Sequence, residues 1–201
     1  RLNIPYEKYW EAARKRKKND LNNAGFTAET VRIYTSSHCP RRCGFCSSQN
    51  FLPISQGENS GILMLPAQDI YDLVQHHYDR YGALAIMFTD DDFPVGSKAG
   101  IQRLMDFCDL IIEGKECSRL PQEMKFFCQA RVADFLIKGQ VNHLLIERIR
   151  AAGWHNIGIG IETFSERLLH VPSVNKSGIT VSDCRAVMNA LLDAGIIAES
   201  F

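Results

Sequence analysis

The sequence predicts an α/β fold: a partial (β/α) barrel, truncated within its fifth strand. Three observations predict it. Short apolar runs of strand length alternate with longer amphipathic stretches from residue 25 onward. The run at 83–88 (ALAIMF) is continuous rather than alternating, as in a parallel strand covered on both faces. There are five such runs in all, at the spacing of right-handed βαβ units, with no sixth. Five strands ending at Phe201 suit an unfinished barrel better than a complete doubly wound sheet.

Each element has its own local cause. Residues 6–18 form a helix with a basic run, Arg14 to Lys18, and residues 1–24 read as a helical linker ahead of a core spanning 25–201. A solvated helix end explains that run better than a polyanion site. Val31–Ser36 is β-branched and reads as the first strand. Residues 67–81 are helical, with Ile70, Leu73, Val74 and His77 on one face. After the 83–88 strand comes a helix from Ser97 to Glu113, with Ile101, Leu104, Met105, Cys108 and Ile112 inward and Gly114 as its stop. Met124–Ala130 is the third strand. Asn142–Ala152 is a helix facing inward through Leu144, Leu145 and Ile149, with Gly153 past its end. Asn156–Ile161 is the fourth strand, and its glycines predict close approach by a neighbour or ligand. Thr180 caps a helix over 181–194 that faces inward through Cys184, Val187, Met188 and Leu191. Gly195 closes it, and Ile196–Phe201 begins the fifth strand.

Composition bounds the function. The 201 residues are 45% hydrophobic and 23% charged, which is ordinary globular composition. Lys plus Arg and Asp plus Glu are both 23, so the chain as a whole is no electrostatic nucleic-acid binder. There is no apolar window long enough for a membrane span and no signal-peptide core, which points to a cytoplasmic protein. Arg1 and Phe201 both look like cut ends, so a longer parent protein is expected. Cysteines number seven, and only Cys39, Cys43 and Cys46 cluster. In a reducing compartment such a cluster reads as metal ligands.

The cluster follows the first strand directly: His38-Cys39-Pro40-Arg41-Arg42-Cys43-Gly44-Phe45-Cys46. Its spacing is C-x3-C-x2-C, and ligands of parallel α/β folds bind at the carboxyl ends of strands. A 4Fe–4S cluster ordinarily takes four thiolates, so three leave one iron open for a further ligand. The alternative is a structural zinc or iron–sulfur loop without catalysis. His38 would then supply the fourth ligand, but it adjoins Cys39 and is badly placed to complete a tetrahedron.

This spacing at the end of a first barrel strand resembles the radical S-adenosylmethionine superfamily. The resemblance implies that Cys39, Cys43 and Cys46 hold a 4Fe–4S cluster whose open iron binds S-adenosylmethionine, and that Phe45 packs near the adenine. It implies reductive cleavage of S-adenosylmethionine to methionine and a 5′-deoxyadenosyl radical, which acts on a small-molecule substrate. A one-electron donor such as flavodoxin or ferredoxin is implied as partner. Thr89-Asp90-Asp91-Asp92-Phe93 stands where many members carry Gly-Gly-Glu for the methionine ammonium. The acidic variant resembles the cobalamin-associated branch and makes Asp90 or Asp91 the expected ammonium partner. Without that role the triplet is a solvated loop capping the next helix.

Gln129-Ala130-Arg131 and Gly160-Ile161-Glu162 resemble further segments of that branch. They bring Arg131 to the barrel mouth to fork onto a carboxylate, and Glu162 toward the ribose hydroxyls or the cofactor. The plainer readings are an ion pair of Arg131 with the aspartates, or of Glu162 with Arg131. Asn175-Lys176 also matches, without an assigned role. No Asp-x-His-x-x-Gly pattern is present, so cobalamin would require a domain outside this chain. A methylthiotransferase acting on tRNA is disfavoured by the neutral charge and the lack of a second cysteine triplet. Cys108, Cys128 and Cys184 read as packed thiols and Cys117 as an exposed one.

Overall fold

The computed structural model describes residues 4–17, 30–48, 61–176 and 178–201. In chain order the elements are α1 (Tyr6–Lys17), β1 (Thr30–Ile33), α2 (Ala67–Tyr81), β2 (Ala85–Phe88), α3 (Lys98–Glu116) and β3 (Lys125–Arg131). A 3-10 turn (Val132–Phe135) leads into a small hairpin, β4 (Leu136–Ile137) and β5 (Gln140–Val141). Then come α4 (His143–Ala152), β6 (Trp154–Gly160), α5 (Glu166–Leu169), α6 (Val181–Asp193) and β7 (Ile197–Ser200). Lys18, the last residue of the expected first helix, lies outside the described residues.

The main sheet has five parallel strands in the order β1-β2-β3-β6-β7. The order never reverses, as in a singly wound barrel wall. Alternate residues decide which face is covered. Val31, Ile33, Ile86, Phe88, Phe126, Cys128, Ile157 and Ile159 pack with helix residues Ile70, Val74, Leu104, Phe107, Leu145, Ile149, Val187 and Leu191. On the other face Arg32, Gln129 and Glu199 are exposed. Among the described residues the helices cover this one side, although Ala85 and Phe127 on the other face are buried as well. Phe88, Phe93, Phe107, Phe126 and Trp154 form an aromatic centre, with Phe88 stacked on Phe93 at 4.3 Å between ring centroids. Burying such rings supplies much of the core's driving force.

Several boundaries follow the sequence logic. Asn142 Oδ1 accepts from the Leu145 N–H at the start of α4, and Gly153 ends it at φ +104°. Thr180 and Asp183 form a capping box on α6. Other expectations are corrected. Gly114 does not stop α3; the helix runs on to Glu116, and a Cβ at 114 would press on the Tyr71 hydroxyl at 2.7 Å. The buried stripe of α3 centres on Leu104, Phe107, Cys108 and Ile111, so Ile101, Met105 and Ile112 flank it. Leu144 is exposed, and Ile146 is buried in its stead. The fourth-strand glycines do admit neighbours: a Cβ at 158 would meet the Phe201 ring at 2.5 Å, and one at 160 would meet Glu162 Oε1 and Lys176 Nζ. Cys108, Cys128 and Cys184 are buried and Cys117 is exposed, as read.

Candidate functional site

Parallel strands bring every segment singled out by the sequence to one edge of the sheet. The cysteine loop leaves the carboxyl end of β1, Asp90–Gly96 leaves that of β2, Arg131 ends β3, and Glu162 follows β6. The cysteine loop is tied down at both ends. Beyond β1, the Ser37 N–H donates to the Leu63 carbonyl at 2.8 Å and the Leu65 N–H to the Thr35 carbonyl at 2.9 Å. Further along, the Gly44 N–H donates to the Ser173 carbonyl at 2.6 Å. A Cβ at 44 would press on Ser173 Cβ at 3.0 Å, so glycine permits this close crossing to the loop beyond β6.

Cys39, Cys43 and Cys46 are half-buried thiols outside any disulfide. Burial, with smaller pushes from the charges of Asp92 and Asp91, raises the Cys39 thiol to about 11; the Arg41 N–H opposes this. Metal binding there must displace that proton. Among the described residues, no three His, Cys, Asp or Glu side chains converge closely enough to hold a single metal ion. Three soft thiolates with no fourth beside them suit an iron–sulfur cluster, in which each thiolate binds its own iron. The donor set therefore fits that group. Phe45 is exposed beside the last two thiols in sequence, as a stacking surface would be.

The aspartate triplet divides by position. Asp90 is fully buried. Its carboxylate accepts from the Thr35 N–H at 3.0 Å, Thr35 Oγ1 at 3.1 Å and Ser36 Oγ at 2.5 Å. Arg103, also buried, donates to Thr35 Oγ1 at 3.2 Å and to the Phe93 carbonyl. Asp90 thus stitches β2 to the start of the cysteine loop and has no oxygen facing an open site. Only Asp91 is exposed. Nor is the triplet a solvated cap, because Ser97 caps α3 by accepting from the Gly100 N–H at 3.0 Å.

Asp92 is buried against Asp134 of the 3-10 turn. Neither Asp92 oxygen nor Asp134 Oδ1 finds a donor among the described residues, so the pair is satisfied only when one carboxyl carries a proton. Burial, reinforced by Asp134, pushes Asp92 up to about 8; burial also raises Asp134, against the Arg131 N–H that donates to its Oδ2 at 2.7 Å.

Arg131 Nη2 donates to the Asn175 carbonyl at 2.9 Å, and its charge acts on Asp92 and Asp134. Glu162 stands at φ +69° with Oε1 3.5 Å from Lys176 Nζ. Lys176 is buried and donates to the Gly160 carbonyl at 2.5 Å. The partner of Glu162 is therefore Lys176 rather than Arg131. The segment Ser173–Lys176 so touches the cysteine loop, the end of β3 and the end of β6. Sequence reading missed Arg41, Arg103, Asp134 and the role of Lys176. Of these, only the Asn-Lys pair carried any signal.

The profile of the Radical SAM superfamily matches residues 33–201. This chain belongs to the radical SAM superfamily. No curated protein matches it. Among solved structures, the cobalamin-dependent S-adenosylmethionine radical enzyme OxsB, with aqua-cobalamin and S-adenosylmethionine bound, superposes with a TM-score of 0.65 at 18% identity over 85% of this chain and 23% of that one. The radical S-adenosylmethionine methyltransferase TsrM from Kitasatospora setae, with cobalamin and a [4Fe-4S] cluster bound, gives 0.65 at 17% identity, over 85% and 30%. At such identities the likeness is one of fold: this radical SAM chain shares their α/β wall and spans less than a third of their length. Among its described residues no helix is long and apolar enough to cross a membrane.

Proposed function

We propose that the chain is the cluster-bearing core of a radical SAM enzyme, with Cys39, Cys43 and Cys46 as cluster ligands and a small molecule as substrate. The observation that carries this reading is the position of the three thiols, on a pinned loop at the carboxyl edge of the sheet, with Asp91 near enough to act on Cys39 and Glu162 ending β6 on the same edge. When bound, the 4Fe–4S cluster supplies one-electron reductive cleavage of S-adenosylmethionine.

The chain's own residues do the rest. Cys39, Cys43 and Cys46 would hold the cluster as thiolates, and with no fourth thiolate from the loop one iron would be open to the cofactor. Asp91, exposed on the β2 loop, accepts an N–H of the cofactor's amino group. A charge-assisted hydrogen bond there gains strength as water is excluded. Asp90 holds that loop against β1. Glu162, held by Lys176, accepts from the ribose hydroxyls, and Phe45 covers the adenine. Arg131, seated on the Asn175 carbonyl, lines the mouth between them. The wall positions the cofactor and shields a reactive species, while the difficult bond cleavage is the cofactor's own. The likeness to OxsB and TsrM supports a cobalamin-associated branch, with cobalamin held by a domain outside this chain. A flavodoxin or ferredoxin supplies the electron in a cytoplasmic setting.

Anaerobic reconstitution tests the proposal. About four irons with matching acid-labile sulfide, and 5′-deoxyadenosine on adding dithionite and S-adenosylmethionine, are expected. Tightly bound zinc without sulfide or cleavage would establish a non-catalytic metal module.

A further inference from the structure

Arg41 lies between Cys39 and Cys43, yet its guanidinium leaves the cysteine loop and enters the turn after β2. Its Nη2 donates to the Gly96 carbonyl at 2.9 Å. That turn is built to receive it. Val95 and Gly96 both have positive φ, +61° and +55°. A β-branched residue resists this region, so the turn is held there by its surroundings. The Val95 N–H donates to the Asp92 carbonyl at 3.0 Å, and the Val95 side chain is buried. A Cβ at 96 would collide with the Arg41 guanidinium, so only glycine leaves the seat open. Beyond the seat lies the buried Asp92–Asp134 pair, on which the charge of Arg41 acts together with that of Arg131. Arg41 Nε is itself buried with no partner among the described residues.

We propose that Arg41 is a positioning residue: by clamping the cysteine loop to the Asp92–Gly96 turn, over the buried acid pair, it fixes where Cys39 and Cys43 stand relative to Asp91. The clamp is the counterpart of the Gly44–Ser173 crossing at the far side of the same loop. Lysine replaces arginine only in part here, because an ammonium can reach the Gly96 carbonyl but lacks the guanidinium's further N–H groups and its planar shape. The inference rests on the radical SAM reading of the loop only for its cofactor readout.

The test uses the full chain in two states. In the cluster-free, reduced protein, iodoacetamide alkylation of each cysteine is followed by peptide mass spectrometry, with exposed Cys117 as internal standard. R41M speeds alkylation of Cys39 by about fivefold relative to Cys117, and R41K restores part of the protection. G96A, which keeps the guanidinium but pushes it from its seat, moves Cys39 the same way. It decides the matter if circular dichroism shows R41M unfolded. After reconstitution, R41M raises the KM for S-adenosylmethionine by about fivefold while kcat changes by less than about twofold. Cys39 alkylation rates in R41M and G96A within about twofold of the parent overturn the clamp. A parent chain that takes up no iron overturns the cluster reading instead, and the alkylation rates still decide Arg41.

Discussion

Replacing Asp90 by alanine separates the two aspartates that the sequence left as alternatives. The Asp90 carboxylate accepts from the Thr35 N–H, Thr35 Oγ1 and Ser36 Oγ, all buried. Its charge also faces Arg103, whose guanidinium is pulled down by burial and supported first by Asp90. Truncation strands the Thr35 N–H, at about 1–3 kcal/mol. It also weakens the favourable field on the buried Arg103 cation, which shares no ion pair with Asp90 and is supported by Asp92 as well. Together about 3 kcal/mol is expected. For a domain of this size that lowers Tm by roughly 6–12 °C. Asp91→Ala, at an exposed position, stays within about 0.5 kcal/mol of the parent. It instead raises the KM for S-adenosylmethionine. Urea titration and differential scanning fluorimetry of the two variants side by side give the answer. If Asp90→Ala melts within about 3 °C of the parent, the stitching role is wrong.

The remaining predictions concern the same edge. Asp92 is raised from 3.8 to about 8, so the folded chain binds a proton that the unfolded chain releases. Stability is therefore greatest below the lower value and falls as pH rises toward about 8, by on the order of several kcal/mol. Asp92→Asn flattens that slope, and Tm measured across the window checks it; an unchanged slope counts against the shared proton. Glu162→Gln lowers Tm by roughly 2–8 °C, because it takes the counter-charge from Lys176, whose side chain is buried, while leaving an amide oxygen to accept from it. The same variant raises the cofactor KM by about tenfold, the worth of one good hydrogen bond, as read from the rate of deoxyadenosine formation. Gly100→Val drives a side chain into the Pro94 carbonyl and lowers stability by about 1–3 kcal/mol in urea melts. Parent-like stability would mean that α3 does not pack on that turn.

Local rules made much of the wall legible. Asn142 and Gly153 bracket α4 because capping and left-handed geometry are written in single residues. Gly114 misled for the same reason: a glycine that ends a helix and one that admits a neighbour, here Tyr71, look alike in sequence. The β4–β5 hairpin turns at Lys138-Gly139, both at positive φ, without the Asn-Gly or Asp-Gly that would have announced it. At the site, the thiols were legible because three cysteines in eight residues are rarely accidental. The division of labour among Asp90, Asp91 and Asp92 was not. Adjacent carboxylates differ only in what folds over them: the Thr35 and Ser36 hydroxyls for one, solvent for the next, Asp134 for the third. Arg41 carried no signal in the sequence, because its partner Gly96 is distant along the chain and is reached only through the fold.

The central claim is that three thiolates leave one iron free to bind the cofactor through its amino acid end. Electron–nuclear double resonance on the reduced, reconstituted chain tests it, using S-adenosylmethionine labelled with 15N at the amino group and 17O at the carboxylate. The account predicts hyperfine coupling from both labels in the parent, and loss of cluster and signal when any one of Cys39, Cys43 or Cys46 is changed to alanine. A fully formed cluster that shows coupling to neither label would contradict it.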